Sequence, residues 1–580
     1  MFTVAFAERC CVPDSPSGTQ QRKRTRARKR IASLGAQTHA ANPAAQRPGG
    51  RTSALPLAWP HALAAPAHRP HNERIAMSNQ PAGTAAGAPA ASGSGLKRTL
   101  GLREAITITA GTVIGVGLFT TGGSVVGEMG PFVVLATALA ALISIYPALM
   151  YGEMGAALPF AGGTYQYASL GLGRPAGFLA GWNFIMSLIA VTGGEALAFS
   201  YYFKTIFLAI GIELPVDDVV IAIIALVAFI IANVRGVELT GKLQNGFMFF
   251  FWGVAAIWFI SMIPNVQLPN FVTTPDFMGD MGAGGFIAAV AMIWWCFAGF
   301  ETCCAMGEEI RHPQINIPRA MMLSPFIIFV VNALFQWFLV GIVPADGLAA
   351  VAESSAPYAE AMMSAGILGL PLLLLALGVS FGGDFSTLNA SIAVPPRYLF
   401  TMARDGSLPA VFAKLHPKYR TPYVAIIALG ALTVALVATS TLDYIASLSL
   451  FADLFYYVIG MIACLGLRRK LPDLARPFKV RGMLPGAVVS IVIYVVMMTQ
   501  LDTEALVTGV IYCVVGLVIY AVCAKVYGPR TIDVNAVQDA TEPTPAERAK
   551  MDREFHIWIA AAVAGCVLVA ALYLLPVVMG

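Results

Sequence analysis

The sequence predicts an all-α polytopic membrane protein, and three observations support that fold class. Hydrophobic residues make up 57% of the 580 residues and charged residues only 12%, whereas soluble domains carry about 25% charged residues. The mean hydropathy is +0.71. The apolar residues are gathered into stretches that reach the roughly 20 residues a helix needs to cross a bilayer. These features exclude an ordinary soluble domain.

The N-terminal region differs in composition from the rest of the chain. Residues 1–100 are rich in Ala, Pro, Gly, Ser and Arg and lack apolar periodicity, so we expect a disordered tail. Residues 22–30 form a basic run suited to anionic lipid or nucleic acid. The simpler interpretation is a solvated tail, and we expect no nucleic-acid partner. If translation instead begins at Met77, residues 1–76 are not part of the protein.

Thirteen apolar stretches follow this tail. We predict membrane spans at 104–127, 131–157, 176–208, 218–233, 244–263, 284–309, 320–343, 366–402, 422–439, 444–467, 483–500, 505–526 and 556–578. The thirteenth prediction requires the last stretch to cross the bilayer fully.

The distribution of positive charge predicts the orientation. The loops predicted to lie outside, at 264–282, 344–365, 440–443 and 501–504, contain no Lys or Arg, whereas each loop predicted to lie inside contains at least one. This is the positive-inside rule. It places the N-terminus in the cytoplasm of a multi-pass protein of the cell membrane, which for a bacterium is the inner membrane.

Two of the apolar stretches contain sequences that interrupt a helix. Residues 111–119 read Gly-Thr-Val-Ile-Gly-Val-Gly-Leu-Phe, and residues 295–301 read Trp-Cys-Phe-Ala-Gly-Phe-Glu, five spans later. Unpaired backbone in lipid costs several kcal/mol per group, so a break there needs a ligand or a cavity. Two broken helices in corresponding positions indicate a transporter's binding site. The alternative is that these glycines only allow close helix packing.

Further motifs accompany the breaks in a fixed order. They are Gly115-x-Gly117-Leu118-Phe119, Glu153, Pro159-x-x-Gly162-Gly163-Thr164-Tyr165, Gly181-Trp182, Gly299-Phe300-Glu301, Glu308-Glu309, Ile317-Pro318-Arg319-Ala320, the run from Arg397 to Pro409, Thr421-Pro422 and Arg476-Pro477-Phe478-Lys479. The set resembles the amino acid–polyamine–organocation family of secondary transporters, with its bacterial amino acid permeases and its basic amino acid and polyamine antiporters. The resemblance extends over residues 100–482.

The resemblance implies a LeuT-like fold of two inverted five-helix repeats. These would be residues 101–263 and 284–467, with discontinuous helices 1 and 6. Residues 483–526 would form peripheral helices 11 and 12, and residues 556–578 a thirteenth helix. The family's substrate lies at mid-membrane between the two discontinuous helices.

The chemistry of the two breaks suits an amino acid. In the first break, freed N–H groups and the start of the next half-helix suit a carboxylate. In the second, freed carbonyl groups suit an ammonium. The predicted substrate-binding residues are Ile114, Gly115, Val116, Gly117, Trp295, Cys296, Phe297, Ala298 and Gly299.

The resemblance also implies gating roles. Trp295 resembles the binding-site tryptophan of the arginine/agmatine exchangers, whose ring closes over the substrate and favours a cation. Trp294 is the alternative counterpart, or else a lipid-facing neighbour. In the family, the position of Glu301 pins the broken helices and is linked to gating and proton sensitivity; a purely structural carboxylate is the alternative.

Glu195 and Asp384 are the other acids that we expect deep in the membrane, where ionisable groups are usually functional. Glu195 would face the substrate route. Asp384 would bind Na⁺ or a proton as a coupling group, or only hydrogen-bond to Ser386 or Thr387. Proton-coupled relatives carry a lysine in span 5, but residues 247–252 contain none, so exchange or coupling through Asp384 or Glu301 is favoured.

These observations predict a secondary active transporter that moves amino acids or related amines across the cytoplasmic membrane by alternating access. The alternatives are an exchanger of amines such as ethanolamine, putrescine or agmatine, and a transport-inactive membrane sensor on the same fold. We expect no enzymatic activity, because the deep polar groups are too sparse for a catalytic set. We also expect no cofactor or metal, and H⁺ or Na⁺ as the only coupling ions. The expected partners are a small-molecule substrate and the lipid bilayer.

Overall fold

The architecture is a bundle of helices, several of which are interrupted inside the bundle. A computed structural model describes residues 96, 98–271, 281–438, 442–528, 530 and 542–579. The α-helices are Leu102–Gly111 (α1), Gly123–Met129 (α2), Val133–Ala157 (α3), Gly163–Gly171 (α4), Arg174–Ala209 (α5), Asp218–Val234 (α6), Val237–Met262 (α7), Gly282–Trp295 (α8), Thr302–Ala305 (α9), Pro313–Ile342 (α10), Leu348–Glu353 (α11), Pro357–Ser364 (α12), Leu370–Gly378 (α13), Phe385–Ala393 (α14), Pro395–Arg404 (α15), Tyr423–Val437 (α16), Leu442–Lys470 (α17), Met483–Met498 (α18), Thr503–Tyr527 (α19) and Pro545–Met579 (α20).

The remaining regular structure consists of short turns. Two π-helical turns are Gly117–Gly122 and Val379–Asp384. Short 3₁₀ helices are Gly130–Phe132, Ile263–Asn265, Leu268–Phe271, Ala345–Gly347 and Ala410–Ala413. The β-structure recorded in the described residues is two isolated bridges, Leu100 with Ile310 and Ala161 with Met306.

The protein is an all-α polytopic membrane protein, as the sequence predicts. Eight described helical segments are long and apolar enough to cross a membrane, and four more apolar helices are shorter, namely α6, α8, α16 and α18. The predicted span 104–127 consists of α1, a π-helical turn and α2. The predicted span 366–402 likewise combines α13, a π-helical turn, α14 and most of α15. Breaks within these two spans therefore divide them into helices that are shorter than a bilayer is thick.

Long helices surround the breaks. α5 packs along α17 and also contacts α4, α6, α13 and α16, and α3 packs along α10. A buried hydrogen bond of 2.7 Å from the hydroxyl of Thr137 to the side-chain oxygen of Gln336 joins α3 to α10. α20, which contains the predicted thirteenth span, packs along α10, where Trp337 donates to the carbonyl of Leu572. These contacts form the walls around the interrupted helices.

The predicted disordered tail lies almost entirely outside the described residues. Only its last few residues are described, and two of them pack onto the bundle. The backbone N–H groups of Thr99 and Leu100 both donate to the carbonyl of Glu309, and Leu100 is buried. The chain therefore enters the bundle beside the turn that precedes α10.

Candidate functional site

The first break lies between α1 and the π-helical turn Gly117–Gly122. Its backbone N–H groups are largely satisfied inside the protein: Ile114 donates to the carbonyl of Ala110 at 3.0 Å, and Gly115 to that of Val113 at 3.1 Å. The N–H of Val116 donates to Oε1 of Glu195 at 2.6 Å. A side chain of α5 thus supplies the acceptor that the interrupted helix lacks.

The second break follows α8, where residues 296–301 form turns before α9. Gly299 has φ +99°, a left-handed conformation that glycine adopts without steric strain. Its N–H donates to the hydroxyl of Tyr457 at 3.0 Å. α17 therefore supports the second break as α5 supports the first.

The two breaks touch each other. The thiol of Cys296 donates to the carbonyl of Gly117 at 2.9 Å, and the hydroxyls of Thr112 and Thr302 lie 3.2 Å apart. A Cβ on Gly117 would lie 3.3 Å from the Cα of Cys296, so a glycine at position 117 allows this close approach. The predicted site therefore consists of two interrupted helices in direct contact.

A small cavity lies between the breaks and α5 and α17. Its volume is about 20 Å³, which accommodates about one water. The lining residues are Thr112, Val113, Val116, Gly117, Ser187, Leu188, Val191, Glu195, Trp295, Ala298, Gly299 and Asp453. Two of these described lining residues carry ionisable carboxyl groups, Glu195 and Asp453, and none is a Lys, Arg or His.

The cavity brings together five of the nine predicted substrate-binding residues: Val116, Gly117, Trp295, Ala298 and Gly299. The other four do not line it. Ile114 and Gly115 lie behind the first break, beside Thr387 and Glu195. The Cys296 thiol is turned towards the carbonyl of Gly117, and Phe297 is fully buried.

Trp295 belongs to a hydrogen-bonded chain along one wall of the cavity. Its indole N–H donates to the hydroxyl of Ser449 at 3.0 Å, which lies 3.5 Å from Oδ2 of Asp453. The hydroxyl of Ser187 donates to Oδ1 of Asp453 at 2.5 Å. Trp295 is the tryptophan at the cavity.

Trp294 is oriented differently. It is fully buried and packs against the rings of Tyr457 and Tyr494, with ring centroids 5.5 and 4.7 Å away. Trp294 therefore neither lines the cavity, as a counterpart of the exchangers' binding-site tryptophan would, nor faces lipid. Its contacts indicate a packing role behind the second break.

Asp453 was missed by the sequence analysis, which named Glu195 and Asp384 as the other deep acids. Asp453 is 2% exposed and lines the cavity. The signal was present, because a lone aspartate inside the predicted span 444–467 is as unusual as the two acids that were named. Ser187 and Ser449 were missed as well, since small hydroxyl residues are common in membrane helices.

Glu195 and Asp384 are brought together behind the first break. Both are buried, at 1% and 0% exposure, and their carboxyl groups lie within hydrogen-bonding reach of each other. A Cβ on Gly115 would lie 2.1 Å from Oε1 of Glu195, so only glycine leaves room for this carboxyl. Asp384 is not hydrogen-bonded to Ser386 or Thr387, which was the alternative considered from the sequence. Neither of its oxygens has a hydrogen-bond partner among the described residues.

The hydroxyls after Asp384 bind the backbone of the first break instead. Ser386 and Thr387 donate to the carbonyl of Gly111 at 3.2 and 2.8 Å. The amide nitrogen of Gln244, on α7, donates to the Ser386 hydroxyl at 2.7 Å and to the carbonyl of Thr107 at 3.0 Å. Residues 247–252 contain no lysine. The polar contact from α7 to the first break and to α14 comes instead from Gln244, three residues before this stretch.

Glu301 lies outside the cavity lining. Its carboxylate accepts hydrogen bonds from the hydroxyls of Tyr456, at 2.6 Å, and of Tyr457. Because Tyr457 also accepts the N–H of Gly299, the carboxylate fixes the second break to α17.

Ion pairs join several charged motif residues that are far apart in sequence. Arg397 pairs with Glu309, Arg404 with Glu308, and Arg468 and Arg476 with Glu153. The sequence order of these motifs did not indicate the pairing. The pairs connect α15 to the turn before α10, and α17 with the loop after it to α3.

Comparisons with known proteins bear on the family of this chain. A family model described as amino acid permease matches residues 100–523. The chain is 27% identical over 444 residues to a branched-chain amino acid permease of Bacillus subtilis, covering 73% of this chain and 92% of the relative. It is 28% identical over 396 residues to a serine/threonine exchanger of the same organism, covering 67% and 87%. A methylthioribose transporter of B. subtilis is 25% identical over 442 residues, covering 73% and 93%.

Proposed function

The chain belongs to the amino acid permease family, and from that membership we propose that it is a secondary active transporter that moves amino acids or related amines across the cytoplasmic membrane by alternating access. The observation that carries the proposal is the cavity between two interrupted helices that touch each other. Backbone interrupted at membrane depth is tolerated where it lines a cavity, and such cavities are where secondary transporters bind substrate.

We also propose the two inverted repeats, with the N-terminus in the cytoplasm. Support comes from the helix contacts. α5, the third predicted span, packs along α17, the tenth, and α13, in the eighth, packs along α7, the fifth. If each of spans 1–5 is exchanged with its counterpart in spans 6–10, the contact of spans 3 and 10 becomes the contact of spans 8 and 5. The contact of α3 with α10, which are spans 2 and 7, stays the same under this exchange.

The cavity is small and most of its lining residues are buried, which fits a narrowed substrate site in an alternating-access cycle. A volume of about 20 Å³ is far smaller than an amino acid, so substrate entry requires the helices around it to separate. Trp295 and its bond to Ser449 form one contact that must break when α8 moves relative to α17. Glu301 and its two tyrosines would hold the second break to α17 during that movement.

The acidic side chains of the cavity favour a substrate with an ammonium group. Asp453 and Glu195 both line it, and carboxylates pair with cations. The N–H of Val116, predicted from the sequence to receive a substrate carboxylate, already donates to Glu195. This observation supports the second candidate function, exchange of amines or polyamines, beside the transport of zwitterionic amino acids.

The test is uptake into proteoliposomes of labelled amino acids and amines, with and without substrate inside. Uptake that requires internal substrate identifies an exchanger, and uptake driven by an imposed H⁺ or Na⁺ gradient identifies a symporter. Competition between a neutral amino acid and a diamine of similar length decides between the two candidate substrate classes. If no compound is taken up by correctly inserted protein, the transport proposal is wrong and the sensor alternative replaces it.

A further inference from the structure

The contact between Glu195 and Asp384 places two carboxyl groups together with no counter-charge. Neither oxygen of Asp384 nor Oε2 of Glu195 has a hydrogen-bond partner among the described residues. Both side chains are almost completely buried, and the two groups lie within hydrogen-bonding reach of each other. An unpartnered buried carboxylate is strongly disfavoured in a protein interior, so this arrangement requires an explanation.

The groups that face the pair provide no positive charge. From the first break come the N–H of Val116 and the carbonyl of Ile114. α14 contributes the hydroxyl of Thr387, and α5 contributes the phenol of Tyr202, which donates to the carbonyl of Phe119. Among the described residues that act on this pair there is no Lys, Arg or His.

Two carboxyl groups in contact do not both ionise, because like charges repel strongly where the dielectric constant is low. A single proton between them removes one charge and provides the missing hydrogen bond, as in other paired carboxyls. A metal cation in its place would need further oxygen ligands. The hydroxyl of Thr387 and the carbonyl of Ile114 are the oxygens beside the pair, so the response of the site to sodium distinguishes a cation from a proton.

We propose that Glu195 and Asp384 share one proton and form the proton-binding site of this transporter, connected directly to the first break. The other oxygen of Glu195 accepts the N–H of Val116, and Glu195 also lines the substrate cavity. When the site opens to water and the shared proton leaves as hydronium, the two carboxylates repel each other. Glu195 then moves, and the N–H of Val116 becomes available to substrate.

The role as a coupling site rests on the proposed transport function, whereas the existence of the shared proton does not. The first experiment therefore uses purified protein in lipid without substrate. Infrared spectroscopy detects the carbonyl stretch of a protonated carboxyl group and its shift in D₂O. We expect Asp384→Asn and Glu195→Gln each to shift the same band, because the remaining buried carboxyl keeps a proton but loses the hydrogen bond to its partner carboxyl. Glu213→Gln, which alters an exposed loop carboxylate, should leave the band unchanged.

Two results would overturn the shared proton. One is a spectrum in which neither variant shifts or removes a carbonyl band, and the other is a wild-type band that sodium abolishes at constant pH, which would identify a cation site. Glu195→Gln retains an acceptor for the N–H of Val116, so the first break should stay folded. If one of the two variants fails to fold, the other still tests the shared proton.

A second experiment tests the coupling role. With an inward proton gradient, wild-type protein should accumulate substrate and Asp384→Asn should only equilibrate it, with a loss of at least about tenfold in the accumulation ratio. Accumulation by Asp384→Asn equal to wild type would remove the pair from coupling. Absence of all uptake together with a shared infrared band would refute the transport function and not the proton site.

Discussion

Arg397 and Glu309 form a two-bond ion pair in the protein interior: Nε and Nη2 of the guanidinium donate to the two carboxylate oxygens at 3.1 and 3.0 Å. Their side chains are 1% and 2% exposed. The pair joins α15 to the turn before α10, and the carbonyl of Glu309 also receives the N–H groups of Thr99 and Leu100. One ion pair thus connects three segments at one end of the bundle.

Removing one partner of this pair should destabilise the protein strongly. Arg397→Leu or Glu309→Leu leaves a buried charge uncompensated, which costs about 3–5 kcal/mol. The double variant should lose less than the sum of the two single variants, because no charge remains. Thermal unfolding in detergent measures the three changes. Lys242→Leu is the control, since its pair with Glu238 is largely exposed and such pairs contribute at most about 1 kcal/mol. Additive losses would contradict the coupling.

Gly117→Trp should abolish transport and leave a folded protein. The new side chain would start 3.3 Å from the backbone of Cys296 and fill a cavity of about 20 Å³. Substrate uptake and gel-filtration behaviour are measured together. The control is Gly253→Trp on α7, an exposed position with no heavy atom within 4 Å of its Cβ. Normal uptake by Gly117→Trp would show that the substrate binds elsewhere.

Trp295→Ala should raise the apparent substrate constant about tenfold, which corresponds to roughly 1.4 kcal/mol of binding free energy. The substitution removes both the ring over the cavity and the bond to Ser449. Trp295→Phe keeps most of the ring and separates the two contributions. An apparent constant that stays the same in Trp295→Ala would place the gate at another residue.

Asp453→Asn should change which substrates the protein accepts. If the carboxylate binds a substrate ammonium, uptake of diamines should fall by about 10- to 100-fold, the loss of a charge-assisted hydrogen bond of roughly 1.5–3 kcal/mol. The amide retains an acceptor for Ser187, so the wall of the cavity should remain intact. Relative uptake of a diamine and a neutral amino acid by variant and wild type is the measurement. An equal loss for both compounds would indicate a structural role.

Gly115→Ala should impair transport although it adds one methyl group. Its Cβ would lie 2.1 Å from Oε1 of Glu195, so the carboxyl must move and its hydrogen bond to Val116 is lost. We expect at least a tenfold lower uptake rate, again about 1.4 kcal/mol. The control is Gly246→Ala in α7, where a Cβ would have no heavy atom within 4 Å, and this variant should transport normally. Full activity of Gly115→Ala would show that this bond is dispensable.

The sequence by itself determined the membrane class, the helical fold and the two breaks. These properties follow from local composition, because every apolar stretch must satisfy its own backbone in lipid. Gly117 and Gly299 could be identified as sites of interruption for the same reason.

The tertiary structure alone decided which polar groups meet. Val116 and Glu195 are 79 residues apart, Trp295 and Ser449 are 154 apart, and Gln244 and Ser386 are 142 apart. A hydrogen bond depends on the direction in which each side chain leaves its helix and on how the helices cross, and neither is encoded in the spacing of a single segment. That is why the sequence indicated Glu195 and Asp384 as separate acids, and only packing made them neighbours.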